Sequence, residues 1–301
     1  MSSVQSFKSY LNPAVVTKIS SLELRARLVV EGFIVGLHKS PYHGFSVEFT
    51  EHRPYYRGDN LKDVDWKAFG KTDKYFIKQY EEETNLKSYI LLDKSRSMGF
   101  KSGSNISKLE YGRTLAAALS YLMIKQQDAA GLTLYSDKVE FFLNPKATGV
   151  YLREILKALA AAEPAFGTNT VLSLGIIAEK IKRRGLVIVI SDLFDDVDEV
   201  LRGLKHFRYK KNEVIVFHLL DPAERSFSFG SDSVFVDMET EEQITTQPFQ
   251  IRKAYKEAFD EFTGRIKKEC LNSNIEYNLV DTSVPFDKAL IAYLHKRSKL
   301  Y

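Results

Sequence analysis

The chain has 301 residues, 44% of them apolar and 27% charged with both signs interspersed, which is ample for a buried core and typical of an ordinary soluble protein. A formal net charge of +4, without a long Lys/Arg run or a known nucleic-acid motif, gives no reason to expect nucleic-acid binding. The single cysteine, Cys270, excludes an intramolecular disulfide. No stretch resembles a signal peptide, and none has the roughly 20 apolar residues that a membrane span needs. We therefore expect a cytoplasmic chain.

The first 83 residues predict a small module of one helix and short extended segments. Apolar residues in 21–37 favour an amphipathic helix, and turn-forming Pro and Gly residues follow between positions 41 and 59. A strand is predicted at 74–80, and the acidic run Glu81-Glu82-Glu83 marks the end of the module. We therefore predict two domains, 1–83 and 84–301.

From residue 84 onward, apolar strands alternate with helices. A capping box at Ser107 and Glu110 predicts the start of the first of these helices, and Gly185 predicts the end of the helix at 171–184. The remaining helices are predicted at 150–162, 197–208, 249–270 and 288–299. The strands are predicted at 89–92, 132–135, 139–143, 186–190, 214–220, 234–238 (an edge strand) and 275–280. This alternation predicts a mostly parallel sheet with helices on both faces.

Three polar motifs fall at positions that meet at one edge of such a sheet. Asp93, Ser95 and Ser97 follow the first sheet strand, Gly167-Thr168-Asn169-Thr170 precedes a helix, and Asp192 follows the strand that ends at residue 190. Open α/β sheets bind ligands beyond the carboxyl ends of their strands, so we expect these side chains to lie close together. Carboxylate and hydroxyl oxygens suit a hard cation, Mg²⁺ first, with Mn²⁺ or Ca²⁺ as alternatives. Such a site leaves part of the ion's charge uncompensated, so it can accept a carboxylate from another molecule.

This pattern resembles the metal-ion-dependent adhesion site of von Willebrand factor A domains. Asp93, Ser95 and Ser97 match the first loop of that site, Thr168 matches the second and Asp192 the third. The resemblance implies a von Willebrand factor A-like, Rossmann-like α/β fold. It also implies that Ser95 and Thr168 coordinate the ion directly, whereas the aspartates often act through water.

A second resemblance lies upstream. It is carried by the motifs Arg53-Pro54-Tyr55, Gly58-Asp59, Asp65-Trp66-Lys67 and Lys78-Gln79-Tyr80-Glu81-Glu82-Glu83-Thr84. They are similar to the signature of the bacterial "domain of unknown function" family fifty-eight, whose members join it to an A-like domain. Members of that family are often linked with MoxR-type AAA+ ATPases, which implies an adaptor or chaperone-cofactor role.

Six further residues are candidates for contacts with a partner or between the two predicted domains. Four belong to the upstream signature and two stand between the metal-site residues: Arg53, Asp59, Asp65, Trp66, Lys94 and Arg96. If Lys94 and Arg96 point away from the site, they are harmless or help to recognise an acidic partner. If they turn inward, they oppose the metal by roughly a kcal/mol or more each.

The motifs favour a metal-dependent protein-binding module over an enzyme. Ser95 lacks the Gly-x-Ser-x-Gly elbow of a serine hydrolase, and it stands where an aspartyl-phosphate phosphatase would carry a second aspartate. The expected partner is a protein that presents an acidic residue, such as a MoxR-type AAA+ ATPase. Two alternatives stay open: an A-like scaffold whose metal site is degenerate and empty, and a metal-dependent hydrolase.

Overall fold

A computed structural model describes residues 12–38, 52–54, 69–70, 73, 75–78, 86–103, 105–165, 170–229, 233–236 and 243–298. At the N-terminus, helices α1 (Pro13–Val16) and α2 (Leu22–His38) precede strands β1 (His52–Pro54) and β2 (Phe76–Lys78), which pair antiparallel. The helix predicted at 21–37 is confirmed, and the strand predicted at 74–80 is confirmed at its centre.

A six-stranded sheet forms the centre of the molecule. Its strands are β3 (Lys87–Asp93), β4 (Ala129–Tyr135), β5 (Val139–Lys146), β6 (Leu186–Ser191), β7 (Glu213–Leu220) and β10 (Glu276–Asp281). A separate hairpin consists of β8 (Ser233–Val236) and β9 (Gln243–Thr246). The order across the main sheet is β10-β7-β6-β3-β4-β5, and β5 alone among these strands runs antiparallel to its neighbour. This is the doubly wound order. The direction in which successive strands are added to the sheet reverses between β3 and β6, which are parallel to each other.

Helices cover both faces of this sheet. They are α3 (Lys108–Lys125), α4 (Gly149–Ala160), α5 (Thr170–Lys180), α6 (Val197–Tyr209), α7 (Pro222–Ser226), α8 (Pro248–Asn272) and α9 (Asp287–Arg297), with a 3₁₀ turn at Arg96–Gly99. Alternate strand residues point to opposite faces, so Ile90 and Leu92 pack with α2, α3, α4 and α9, while Tyr89 and Leu91 pack with α5, α6 and α8. The predicted von Willebrand factor A-like α/β fold class is therefore confirmed.

Helix α2 belongs to the main core. Leu22, Val29, Val30 and Phe33 are buried in the same cluster as the apolar residues of α3 and the sheet, and the guanidinium of Arg25 donates to Glu110 at the start of α3. The predicted domain boundary at 83/84 lies outside the described residues and stays a prediction.

Three local predictions were wrong in detail. The helix predicted at 171–184 ends at Lys180, and Gly185 serves a close approach instead, because a Cβ there would lie 2.1 Å from the carbonyl oxygen of Lys87. The strand predicted at 234–238 pairs with β9 in the separate hairpin and not at an edge of the main sheet. The capping box is one-sided: Ser107 accepts from the amide of Glu110, but the carboxylate of Glu110 contacts arginine side chains.

Within the described ranges, no helix combines the length and the apolar character that crossing a membrane requires.

Candidate metal site

The candidate site lies where the strand order reverses. In the parallel pairing of β3 with β6, Leu92 lies opposite Ile190, which brings the next residues, Asp93 and Ser191, side by side at the carboxyl edge of the sheet. The carboxylate of Asp93 is 1% exposed and accepts two hydrogen bonds, from the amide of Ser95 at 2.8 Å and from the hydroxyl of Ser191 at 2.6 Å. The first and third predicted loops therefore meet at Asp93.

The first loop presents two adjacent hydroxyls. The Oγ atoms of Ser95 and Ser97 are 3.1 Å apart, and the 3₁₀ turn that begins at Arg96 positions the second of them. The loop is held from both sides: the amide of Lys94 donates to the carbonyl of Tyr135 at 2.8 Å, and the carbonyl of Lys94 accepts from the amide of Ala165, also at 2.8 Å. These backbone contacts fix the positions of the two serines relative to the sheet.

Thr168, the predicted contribution of the second loop, lies outside the described residues. Ala165, shortly before it, forms a parallel bridge with Ser95. The chain therefore approaches the first loop three residues before Thr168, and the role of Thr168 stays a prediction.

Asp192, the carboxylate of the third predicted loop, has a cationic partner that the sequence did not reveal. The ammonium of Lys108 donates to Oδ2 of Asp192 at 2.8 Å and to Oε1 of Glu224 at 2.5 Å, and the lysine side chain is fully buried. The same nitrogen lies 4.7 Å from the ring centre of Phe194, a cation–π contact. The sequence contained one indication that Lys108 is unusual: it is the first residue of its helix, where the helix dipole disfavours a positive charge.

The two aspartates therefore differ in how their charge is compensated. Burial, and secondly the nearby charge of Asp192, raise the pKa of Asp93, and hydrogen bonds from Ser191 and Ser95 offset only part of this effect. Among the described side chains, no Lys or Arg forms an ion pair with Asp93. Burial disfavours the ammonium of Lys108, but Asp192 and Glu224 outweigh that effect and hold the pKa of Lys108 above its usual value.

The other predicted contact residues are placed as follows. Lys94 pairs with Glu140 of β5, with 2.9 Å between Nζ and Oε2, so its charge is compensated at the sheet edge. Arg96 is half-buried in the 3₁₀ turn. Arg53 lies in β1, and Asp59, Asp65 and Trp66 lie outside the described residues.

The described donors fit a hard cation that is held partly by hydroxyls. Asp93 offers a buried carboxylate without a cationic partner among the described residues, and Ser95 and Ser97 offer neutral oxygens beside it. No group of three or more His, Cys, Asp or Glu within the described ranges is arranged to hold a metal. The described oxygen atoms at this edge, from one carboxylate and two hydroxyls, are of the kind that the adhesion-site resemblance implies.

The family model described as "Protein of unknown function DUF58" matches residues 51–263, and the chain therefore belongs to this family. Two mycobacterial proteins are similar to it: uncharacterized protein Rv1480 of Mycobacterium tuberculosis and uncharacterized protein Mb1516 of Mycobacterium bovis. Each is 23% identical over 233 residues, which cover 76% of this chain and 72% of the relative.

Two solved structures show a more distant likeness. The conserved hypothetical protein BatB from Bacteroides thetaiotaomicron is 17% identical, with a TM-score of 0.47, covering 71% of this chain and 98% of that one. An aerotolerance-related membrane protein from Bacteroides fragilis is 20% identical, with a TM-score of 0.43, covering 69% and 98%. At these scores neither structure bears on the function of this chain.

Proposed function

We propose that this member of the DUF58 family is an adaptor that binds a partner protein through a divalent cation, Mg²⁺ in the first place, held by Asp93, Ser95 and Ser97. One observation carries the proposal. Asp93 is a buried carboxylate at the strand-order reversal that receives only neutral hydrogen-bond donors, while two hydroxyls lie beside it. A buried charge without a counter-charge is costly, and a cation at this position would remove that cost.

The charge of the site explains why it would bind another molecule. One direct carboxylate and neutral hydroxyls compensate only part of a divalent charge, and Mg²⁺ keeps several waters that an incoming carboxylate can displace. Thr168 would complete the set of oxygen donors, and Asp192 would act through water, as the adhesion-site resemblance implies. The partner is accordingly a protein that presents an Asp or Glu side chain, and the family resemblance favours a MoxR-type AAA+ ATPase.

The geometry favours binding over catalysis. The contacts described for the Ser95 hydroxyl are with the Ser97 hydroxyl and the Asp93 carboxylate, and no histidine is among them, whereas a nucleophilic serine is typically activated by a histidine base. The histidine of β7 nearest this edge, His218, is bound to the hydroxyl of Tyr277, with 2.6 Å between Nδ1 and the oxygen. We therefore propose that the site is not enzymatic.

A second candidate function is a scaffold with an empty site. It is favoured by the raised pKa of Asp93, because a protonated, neutral carboxyl group needs no cation. The two candidates differ in a measurable way, since only the adaptor binds its partner less well when divalent ions are removed.

The test is calorimetric titration of Mg²⁺ and Mn²⁺ into the wild type, Asp93→Asn and Ser97→Ala. A matched control is Asp281→Asn, because Asp281 ends β10 at the same edge but already pairs with Arg225 at 3.2 Å. We expect binding by the wild type and the control, at least about tenfold weaker binding by Asp93→Asn, and a smaller loss for Ser97→Ala. Identical isotherms for the wild type and Asp93→Asn would remove the metal from this proposal.

The partner is tested with a purified MoxR-type AAA+ ATPase immobilised on a resin. We expect retention of the chain in Mg²⁺, loss of retention in EDTA, and no retention of Asp93→Asn. Retention that is equal in Mg²⁺ and EDTA would favour the scaffold.

A further inference from the structure

Lys108 is unusual because it is charged, completely buried and located at the first position of a helix. Lysine is almost never fully buried without partners, and the positive end of the helix dipole makes this position worse. Two carboxylates and the ring of Phe194 compensate the ammonium. Specific contacts therefore hold the buried ammonium at the rim of the sheet.

The ion pairs join three separate parts of the chain. Asp192 follows β6, Glu224 lies in α7 beyond β7, and Lys108 begins α3, so one ammonium connects the loops on both sides of β6. Glu224 is fixed in turn, since its other carboxylate oxygen accepts from the amide of Asp221 at 2.8 Å. The side chain of Asp192 is therefore held at Oδ2, while Oδ1 faces the amide of Phe194 at 3.4 Å.

The consequence concerns the neighbouring Asp93. Direct coordination of an ion by Asp192 would require its carboxylate to leave Lys108, and breaking a buried ion pair is strongly unfavourable. The ion that Asp93 would hold therefore receives no direct contact from Asp192 as long as this ion pair persists.

We propose that Lys108 is an internal cation that sets the metal affinity of this site by holding Asp192 away from the ion. The inference rests on the proposed function and deepens it. With Asp192 engaged by Lys108, the ion keeps more of its charge uncompensated, so binding of the metal and of a partner's carboxylate strengthen each other reciprocally.

The test is a double-mutant cycle read out as the affinity for Mn²⁺ alone, without a partner protein. The four proteins are the wild type, Lys108→Met, Asp192→Asn and the double variant, each checked for folding by circular dichroism. We expect Lys108→Met to tighten Mn²⁺ binding at least about tenfold when Asp192 is present, and far less when Asn replaces it. Equal tightening in both backgrounds would show a general charge effect and would overturn the inference.

Arg225→Met is the matched charge control, because Arg225 lies at the same edge but pairs with Asp281, at the end of β10. It removes the same charge without releasing Asp192, so we expect a change of less than about threefold. Tightening as large as that of Lys108→Met would contradict the inference.

If Lys108→Met does not fold, Asp192→Asn still decides the question, because Glu224 remains as a partner for the ammonium. We expect it to weaken Mn²⁺ binding much less than Asp93→Asn does, and equal losses would show that Asp192 is a direct ligand and would overturn the inference. Binding by Lys108→Met but not by the wild type would support it. Absence of binding by all of these proteins, or equal binding by the wild type and Asp93→Asn, would overturn both proposals, whereas equal tightening by Lys108→Met in both backgrounds would overturn this inference alone.

Discussion

Removal of residues 1–83 should unfold the protein, although the sequence predicts these residues as a separate module. Helix α2 buries Leu22, Val29, Val30 and Phe33 against α3 and the rest of the main core. Full burial of an aliphatic or aromatic side chain stabilises by about 1.5–3 kcal/mol, so the four contribute roughly 6–12 kcal/mol. A typical domain has a total stability of only about 5–15 kcal/mol, so a fragment of residues 84–301 should not retain a stable fold.

The assay is urea unfolding of the full chain and of fragment 84–301, followed by circular dichroism. Point variants give the same information without truncation: Phe33→Ala should cost about 3–5 kcal/mol, because Phe33 is 3% exposed. Leu24→Ala on the same helix is the control, since Leu24 is 55% exposed and its loss should cost less than about 0.5 kcal/mol. A fragment that unfolds cooperatively at the same midpoint as the full chain would refute the reasoning.

Three further predictions concern single residues. Burial raises the pKa of Asp93 to about 7, so Mn²⁺ affinity should fall as the pH is lowered through that value; an unchanged affinity down to about pH 5 would contradict this. Gly185→Ala should lower the free energy of unfolding measured in urea by about 1–3 kcal/mol, because its Cβ would meet the carbonyl of Lys87. The control is Gly175→Ala in α5, whose Cβ would meet nothing within 4 Å, and this variant should be neutral or slightly stabilised. Cys270 is buried and its pKa is raised to about 12, so a thiol reagent should label it only in denaturant, and rapid labelling of the native protein would show that the site opens.

The pattern of the sequence was sufficient for the architecture because the governing interactions are local. The strands at the centre of the sheet are continuous apolar runs, as strands buried on both faces must be, and the intervening helices begin and end close to the predicted positions. Parallel strands place their carboxyl ends at one edge, so the meeting of the loops at Asp93 and Asp192 also followed from sequence order.

Tertiary structure alone decided the features that depend on contacts between distant residues. Lys108 is 84 residues from Asp192 and 116 from Glu224, and no local pattern joins a lysine to carboxylates so far along the chain. Gly185 shows the same limit, because a glycine after a basic helical stretch predicts a helix end, whereas the nearby backbone of Lys87 is what requires a residue without a side chain here. Local propensities determine which segments become strands and helices, whereas only the packed chain determines which charges are buried together.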